Sequence, residues 1–204
     1  MAIDLTISHM KVSVYIATSI DGFIARGNGD LDWLPGSAGE EVESDSSKDV
    51  DNPEPDIEDM GYADFMKSVD ALVMGRNTYQ KVLTFGDWPY GEKNVTILSS
   101  KIDTLATDLP ESVELRNCSV QELYTELKAG GKQHVYVDGA NTIQRFLNAG
   151  LINEIIITKI PVLIGGGIPL FGKLENDVNL KLIYSKSQKK GFVQSKYLVL
   201  KSKK

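Results

Sequence analysis

Two short stretches have the residue types and spacing to do chemistry. Met74-Gly75-Arg76-Asn77-Thr78 and Val137-Asp138-Gly139-Ala140-Asn141-Thr142 each carry a hydrophobic strand pattern through glycine into a helix pattern. A helix N-terminus presents unpaired N–H groups and a partial positive charge, so it is a ready anion site. Glycine removes the side chain that would hold a phosphate away from the backbone. Either turn alone is an ordinary strand-to-helix connection. Together they predict a pyrophosphate held between them, in the crevice at the strand C-termini where open α/β sheets take ligands. Arg76 adds a planar guanidinium suited to phosphate. Ser99-Ser100-Lys101, after a third strand end, offers two hydroxyls and a cation to a further phosphate, such as the 2′-phosphate that separates NADP from NAD.

Other patterns fall short of a site. Gly167-Ile168-Pro169-Leu170-Phe171-Gly172-Lys173 approaches a nucleotide-triphosphate P-loop, but Leu174 replaces the magnesium-holding Ser/Thr and Pro169 has no N–H for the cradle. Gly165-Gly166-Gly167 reads instead as close backbone packing after Pro161. No G-x-G-x-x-G follows the first strand, which argues against a standard Rossmann site. One cysteine, Cys118, and two histidines make a poor zinc inventory, so no metal is expected. Residues 37–59 hold ten acids against the single base Lys48, yet lack the glycine and closing glutamate of a calcium loop in register. With Pro53, Pro55 and several serines this segment buries little apolar surface and reads as a mobile acidic insertion.

These turns need a scaffold. At 204 residues, 42% apolar and 25% charged, the chain is long enough for one domain with a full core. Residues 1–9 look like a leader or tag, which leaves 10–204 as the domain. The elements predicted are strands at Lys11–Ala17, Ala71–Met74, Asn94–Leu98, His134–Val137 and Glu154–Pro161. Helices are predicted at Tyr62–Val69, Arg76–Leu83, Val120–Lys128 and Asn141–Ala149, the third opened by a Ser119/Glu122 capping box. Lys189-Lys190-Gly191 closes a hairpin between two final strands. Strands alternating with helices predict a mostly parallel α/β sheet with an antiparallel hairpin at one edge. From Lys181 onward there are eight lysines and no acid; they alternate with Leu180, Leu182, Tyr184, Tyr197 and Val199, as on strands with a wet face, the alternative being a polybasic lipid patch. A net charge of −6 argues against a nucleic-acid partner. No apolar run approaches the roughly 20 residues that span a bilayer, so no membrane partner is expected. With no secretory leader pattern, a cytoplasmic location is expected.

Four segments together resemble the dihydrofolate-reductase-like superfamily, and within it the reductase half of the riboflavin-biosynthesis deaminase/reductase. They are Ala17 to Ala25, Asp70 to Tyr79 with its Met-Gly-Arg-x-Thr block, Val135 to Ile143, and Leu151 to Phe171 with its late strand and glycine loop. The resemblance implies a three-layer α/β fold: a central, mostly parallel mixed sheet with a C-terminal antiparallel hairpin and helices on both faces. It implies NADPH across the C-terminal edge of that sheet. Arg76, Asn77 and Thr78, with Ser99, Ser100 and Lys101, would face the adenosine phosphates. Gly75, Val137, Gly139, Ala140, Asn141 and Thr142 would form the two turns around the pyrophosphate, and Ala17 and Ile24 would lie near the nicotinamide. The family often has two glycines at the second turn, and here Asp138 stands at the first.

Folate enzymes carry one buried carboxylate on the helix after the active-site loop. Asp64 is the candidate here, with a solvent-facing or helix-capping role as its alternative. Its spacing to Gly75 and the inserted acidic segment argue against folate as substrate. Asp21 either positions substrate or makes the turn before Gly22. Trp33, Tyr62 and Phe65 are candidate substrate-side walls, Trp33 alternatively a loop anchor. The deaminase signature is absent, since no P-C-x-x-C occurs. The expectation is a stand-alone reductase passing hydride from NADPH to a C=N or C=O bond of a small pterin, pyrimidine or ribityl-type molecule. The alternative is a nucleotide-binding module without catalysis. The family habit implies a homodimer.

Overall fold

The computed structural model describes residues 10–35, 60–187 and 189–201. The expectations for residues 1–9 and for the acidic segment 37–59 fall outside them. In chain order the elements are β1 (Lys11–Ser19), β2 (Phe23–Ala25), α1 (Tyr62–Ser68), β3 (Ala71–Gly75), α2 (Arg76–Leu83), β4 (Asn94–Leu98), β5 (Val113–Arg116) and α3 (Val120–Ala129). They continue with β6 (His134–Asp138), α4 (Ala140–Asn148), β7 (Glu154–Ile160), β8 (Ile168–Pro169), β9 (Leu180–Ser187) and β10 (Val193–Val199).

Eight strands form one sheet in the order β5-β4-β3-β6-β1-β7-β10-β9. All neighbours are parallel except β10, which runs antiparallel to both β7 and β9. The period of two in the central strands decides which residue meets which layer. Val73, Val135, Val137, Ile155 and Ile157 face one core with Leu123 of α3 and Ile143 and Phe146 of α4. Leu72, Met74, Tyr136 and Ile156 face the other, with Phe65 of α1 and Tyr79 and Val82 of α2. A strand covered on both faces must be apolar throughout, which is why Ala71–Met74 and Val135–Val137 are continuous hydrophobic runs. Among the described residues no helix is long and apolar enough to cross a membrane.

The N-terminal ends of β1, β6 and β7 are fastened by a buried polar knot. Ser13 Oγ lies 2.7 Å from His134 Nε2 and donates to Glu154 Oε1 at 2.9 Å. Glu154 also pairs with Lys11 at 2.7 Å and Lys196 at 2.9 Å. Burial would drive this carboxyl up, but the Lys11, Lys196 and Ser13 contacts outweigh it and hold it below its ordinary value. With that end tied, the C-terminal ends of the same strands are the ones left to take a ligand.

The expected elements appear within a residue or two, and the Ser119/Glu122 capping box forms in both directions. Three strands were not expected. β5 is a charged edge strand whose Glu114 and Arg116 hide the pattern. β2 and β8 pair only with each other, Phe23 opposite Pro169 and Ala25 opposite Ile168, far apart in sequence. That pairing explains one glycine of the run: a side chain at Gly167 would strike the Ala25 carbonyl, whereas Gly165 and Gly166 meet open space and Gly165 is set apart by its φ of 73°.

Candidate functional site

β3 and β6 are parallel neighbours, with Met74 opposite Asp138, so their following bends lie side by side. The bends interlock. A methyl added to Gly75 would lie 2.8 Å from Thr142 Oγ1, on the helix that follows the other bend. A methyl added to Gly139 would collide with Thr78 Oγ1, on the helix that follows Gly75. The two glycines are needed for different reasons. Gly75 has an ordinary extended backbone (φ −86°, ψ 167°), so only space excludes a side chain there. Gly139 combines φ 86° with ψ 133°, a region closed to other residues. The N-termini of α2 and α4 thus open onto the same space.

That space is a cavity of about 570 Å³. Along one side stand Arg76, Asn77 and Thr78 from α2, with Ser99, Ser100 and Lys101 after β4. Gly75 and the first turn of α4, Ala140, Asn141 and Thr142, line its middle, and Ala17 and Ile24 line the β1–β2 side. Arg76 is half-buried, its guanidinium held by Asn77 Oδ1 at 3.1 and 3.2 Å. Lys81 of α2 reaches Asp30 at 3.3 Å and ties the loop after β2 to the cavity wall.

Two expected turn residues play other parts. Val137 does not line the cavity because its side chain is fully buried in the core. Gly139 does not line it either, and its N–H donates to Asp138 Oδ1 at 2.7 Å, so that amide is already engaged. The remaining N–H groups of the first turn of α4 are the ones a ligand can meet.

The two candidate carboxylates lie elsewhere. Asp64 is exposed and pairs with Lys67 one turn on at 2.9 Å, so it is a surface residue of α1. Asp21 is exposed and accepts the Gly165 and Ile164 N–H groups at 2.8 and 3.3 Å, pinning the glycine loop to the turn after β1. Ser19 and those amides hold its carboxyl below the usual range. Trp33, Tyr62 and Phe65 do not line the cavity. Phe65 fills the core, with ring centres 4.8 Å from Tyr15 and 5.2 Å from Tyr136, and Tyr62 packs on Tyr15 at 5.4 Å.

The carboxylate that lines the cavity is Asp138, and among the lining residues it is the only one. Burial pushes it up to about 6, with the Gly139 N–H and the Tyr136 hydroxyl pulling the other way. Among the described residues no cation offsets that burial. The phenols of Tyr62, Tyr90 and Tyr136 are all raised, by burial first and then by the charge of Asp138. Such a group, able to hold or give up a proton near neutrality, suits acid–base work. The sequence signal for it is plain in hindsight: a carboxylate at the last residue of a strand whose four preceding residues are buried, at the sheet edge where open α/β sheets take ligands.

Comparison with known proteins gives a consistent picture. The family described as the RibD C-terminal domain matches residues 10–193. The uncharacterized protein YwjB of Bacillus subtilis (strain 168) is 34% identical over 175 residues, covering 84% of this chain and 88% of its own. A solved structure from Shewanella sp. PV-4, of a protein assigned to riboflavin biosynthesis, superposes with a TM-score of 0.80 at 38% identity over 94% of this chain and 100% of its own. The Thermotoga maritima diaminohydroxyphosphoribosylaminopyrimidine deaminase/5-amino-6-(5-phosphoribosylamino)uracil reductase shares the fold, with a TM-score of 0.64 at 15% identity over 96% of this chain and 58% of its own.

Proposed function

This chain belongs to the RibD C-terminal domain family, and from that premise we propose that it is an NADPH-dependent reductase acting on a C=N or C=O bond of a small heterocycle. The observation that carries the reading is the interlock of the Gly75 and Gly139 bends, which turns two helix N-termini toward one cavity. The residues present fit a dinucleotide. The first turns of α2 and α4 meet its pyrophosphate. Arg76, Ser99, Ser100 and Lys101 meet the adenosine phosphates, and Ala17 and Ile24 give the nicotinamide an apolar floor. NADPH bound in this way supplies the hydride.

The chain's own contribution is alignment, exclusion of water and one proton. Asp138 gives its proton to the nitrogen or oxygen of the acceptor bond as the carbon gains hydride, then recovers one from solvent. Tyr136, whose hydroxyl donates to the Tyr15 carbonyl at 2.9 Å, holds the wall beside it. A module without catalysis needs no proton donor in the cavity, so Asp138 favours the reductase reading over it.

Arg76→Ala tests the cofactor half of the proposal. Loss of a charge-assisted contact to the 2′-phosphate should weaken NADPH by about tenfold or more while NADH changes far less. Fluorescence titration of both nucleotides measures this; equal losses would detach the guanidinium from that phosphate.

A further inference from the structure

The charges around the cavity are sorted by position. Its cations, Arg76, Lys81, Lys101 and Arg145, come from α2, α4 and the loop after β4; Lys81, which reaches across to the loop after β2, is paired there with Asp30 at 3.3 Å. The end formed by β1, β2 and β6 presents Tyr15, Ile16, Ala17, Ala25 and Tyr136, with Asp138 as its one charged group. Cations near that end are committed elsewhere among the described residues. Arg26 makes a two-point pair with Asp32 at 2.7 and 3.0 Å, Lys159 donates to the Ile20 carbonyl at 3.1 Å, and neither lines the cavity.

We propose that this end of the cavity takes an unphosphorylated aromatic heterocycle, neutral or cationic, and discriminates against phosphorylated ones. The inference rests on the reductase reading and narrows its substrate. A phosphate carried into this end would lose its water without gaining a cation, and it would face a carboxylate. A planar ring instead meets aromatic and aliphatic walls, and its N–H edge can donate to Asp138. The contrast with the relative from Thermotoga maritima is direct, because that protein's name specifies a phosphoribosylamino substrate.

The test uses the full chain saturated with NADP⁺ or NADPH and two matched pairs of probes: 5-amino-6-ribosylaminouracil with its 5′-phosphate, and riboflavin with its 5′-phosphate. Calorimetric titration at pH 7 should show the unphosphorylated member binding about tenfold tighter or better in at least one pair, and neither phosphate binding more tightly than its partner. A phosphorylated member that binds more tightly than its partner in either pair, or a preference below about tenfold in both pairs, would overturn the inference. So would failure of both unphosphorylated probes to bind a chain that does bind NADPH. Failure of NADPH itself, measured first and alone, would overturn the reductase reading and this inference with it.

Discussion

Asp138→Asn is expected to lower kcat by about 10²–10⁴-fold, the usual range for removing a positioned general acid. NADPH affinity should stay within about threefold, because the phosphate-facing residues are untouched and the amide oxygen can still accept the Gly139 N–H. The pH profile gives the sharper signature. With Asp138 pushed up to about 6 in the free chain, the protonated form is the donor, so wild-type kcat/KM should fall as pH rises through that value. The asparagine variant should lose this limb and run flat. Misfolding is a poor alternative explanation, since ionising a half-buried carboxyl works against the fold and the variant should be no less stable at pH 7. A loss of less than tenfold, or a surviving limb near pH 6, would remove Asp138 from the chemistry.

Gly139→Ala should have the second large effect, on structure and cofactor together. The φ of 86° with ψ of 133° imposes strain on the order of 1–3 kcal/mol on any side chain. The new methyl also drives into Thr78, so α2 must shift away from α4. Moving one helix N-terminus off the pyrophosphate should cost NADPH about tenfold or more in affinity. Gly75→Ala has an ordinary backbone and a single 2.8 Å contact with Thr142 Oγ1, so its effect should be smaller on both counts. Urea melts and NADPH titrations of the two variants check the order. Equal, small effects would show that the close fit of the bends is not what binds the dinucleotide.

Much of this arrangement is legible in residue order alone. Continuous apolar runs ending in glycine mark β3 and β6, because a strand buried on both faces carries no polar alternation. The start of α2 follows from Gly75 before it. Asp64 is the instructive error. Phe65 points into the core, and Lys67 lies three residues after Asp64 on the outer face, so the helical period already puts that carboxylate in solvent. Asp138 is hidden for the opposite reason. Compared with the family's paired glycines it reads as a missing backbone feature, which masks its place at the end of a buried strand, and packing adds that among the described residues no cation offsets it at the cavity wall. Contacts such as β2 with β8, or Asp21 with Gly165, join segments more than a hundred residues apart and leave no local trace. The fold class needed no such contact: a mostly parallel mixed sheet with a terminal antiparallel hairpin follows from element order.

Calorimetric titration of NADPH into the full chain, paired with a thermal melt, addresses the joint grip of the two bends most directly. One molecule should bind per chain, and at a hundredfold excess over Kd the fold should gain about 2.7 kcal/mol. No heat of binding and an unmoved Tm at millimolar NADPH would contradict it.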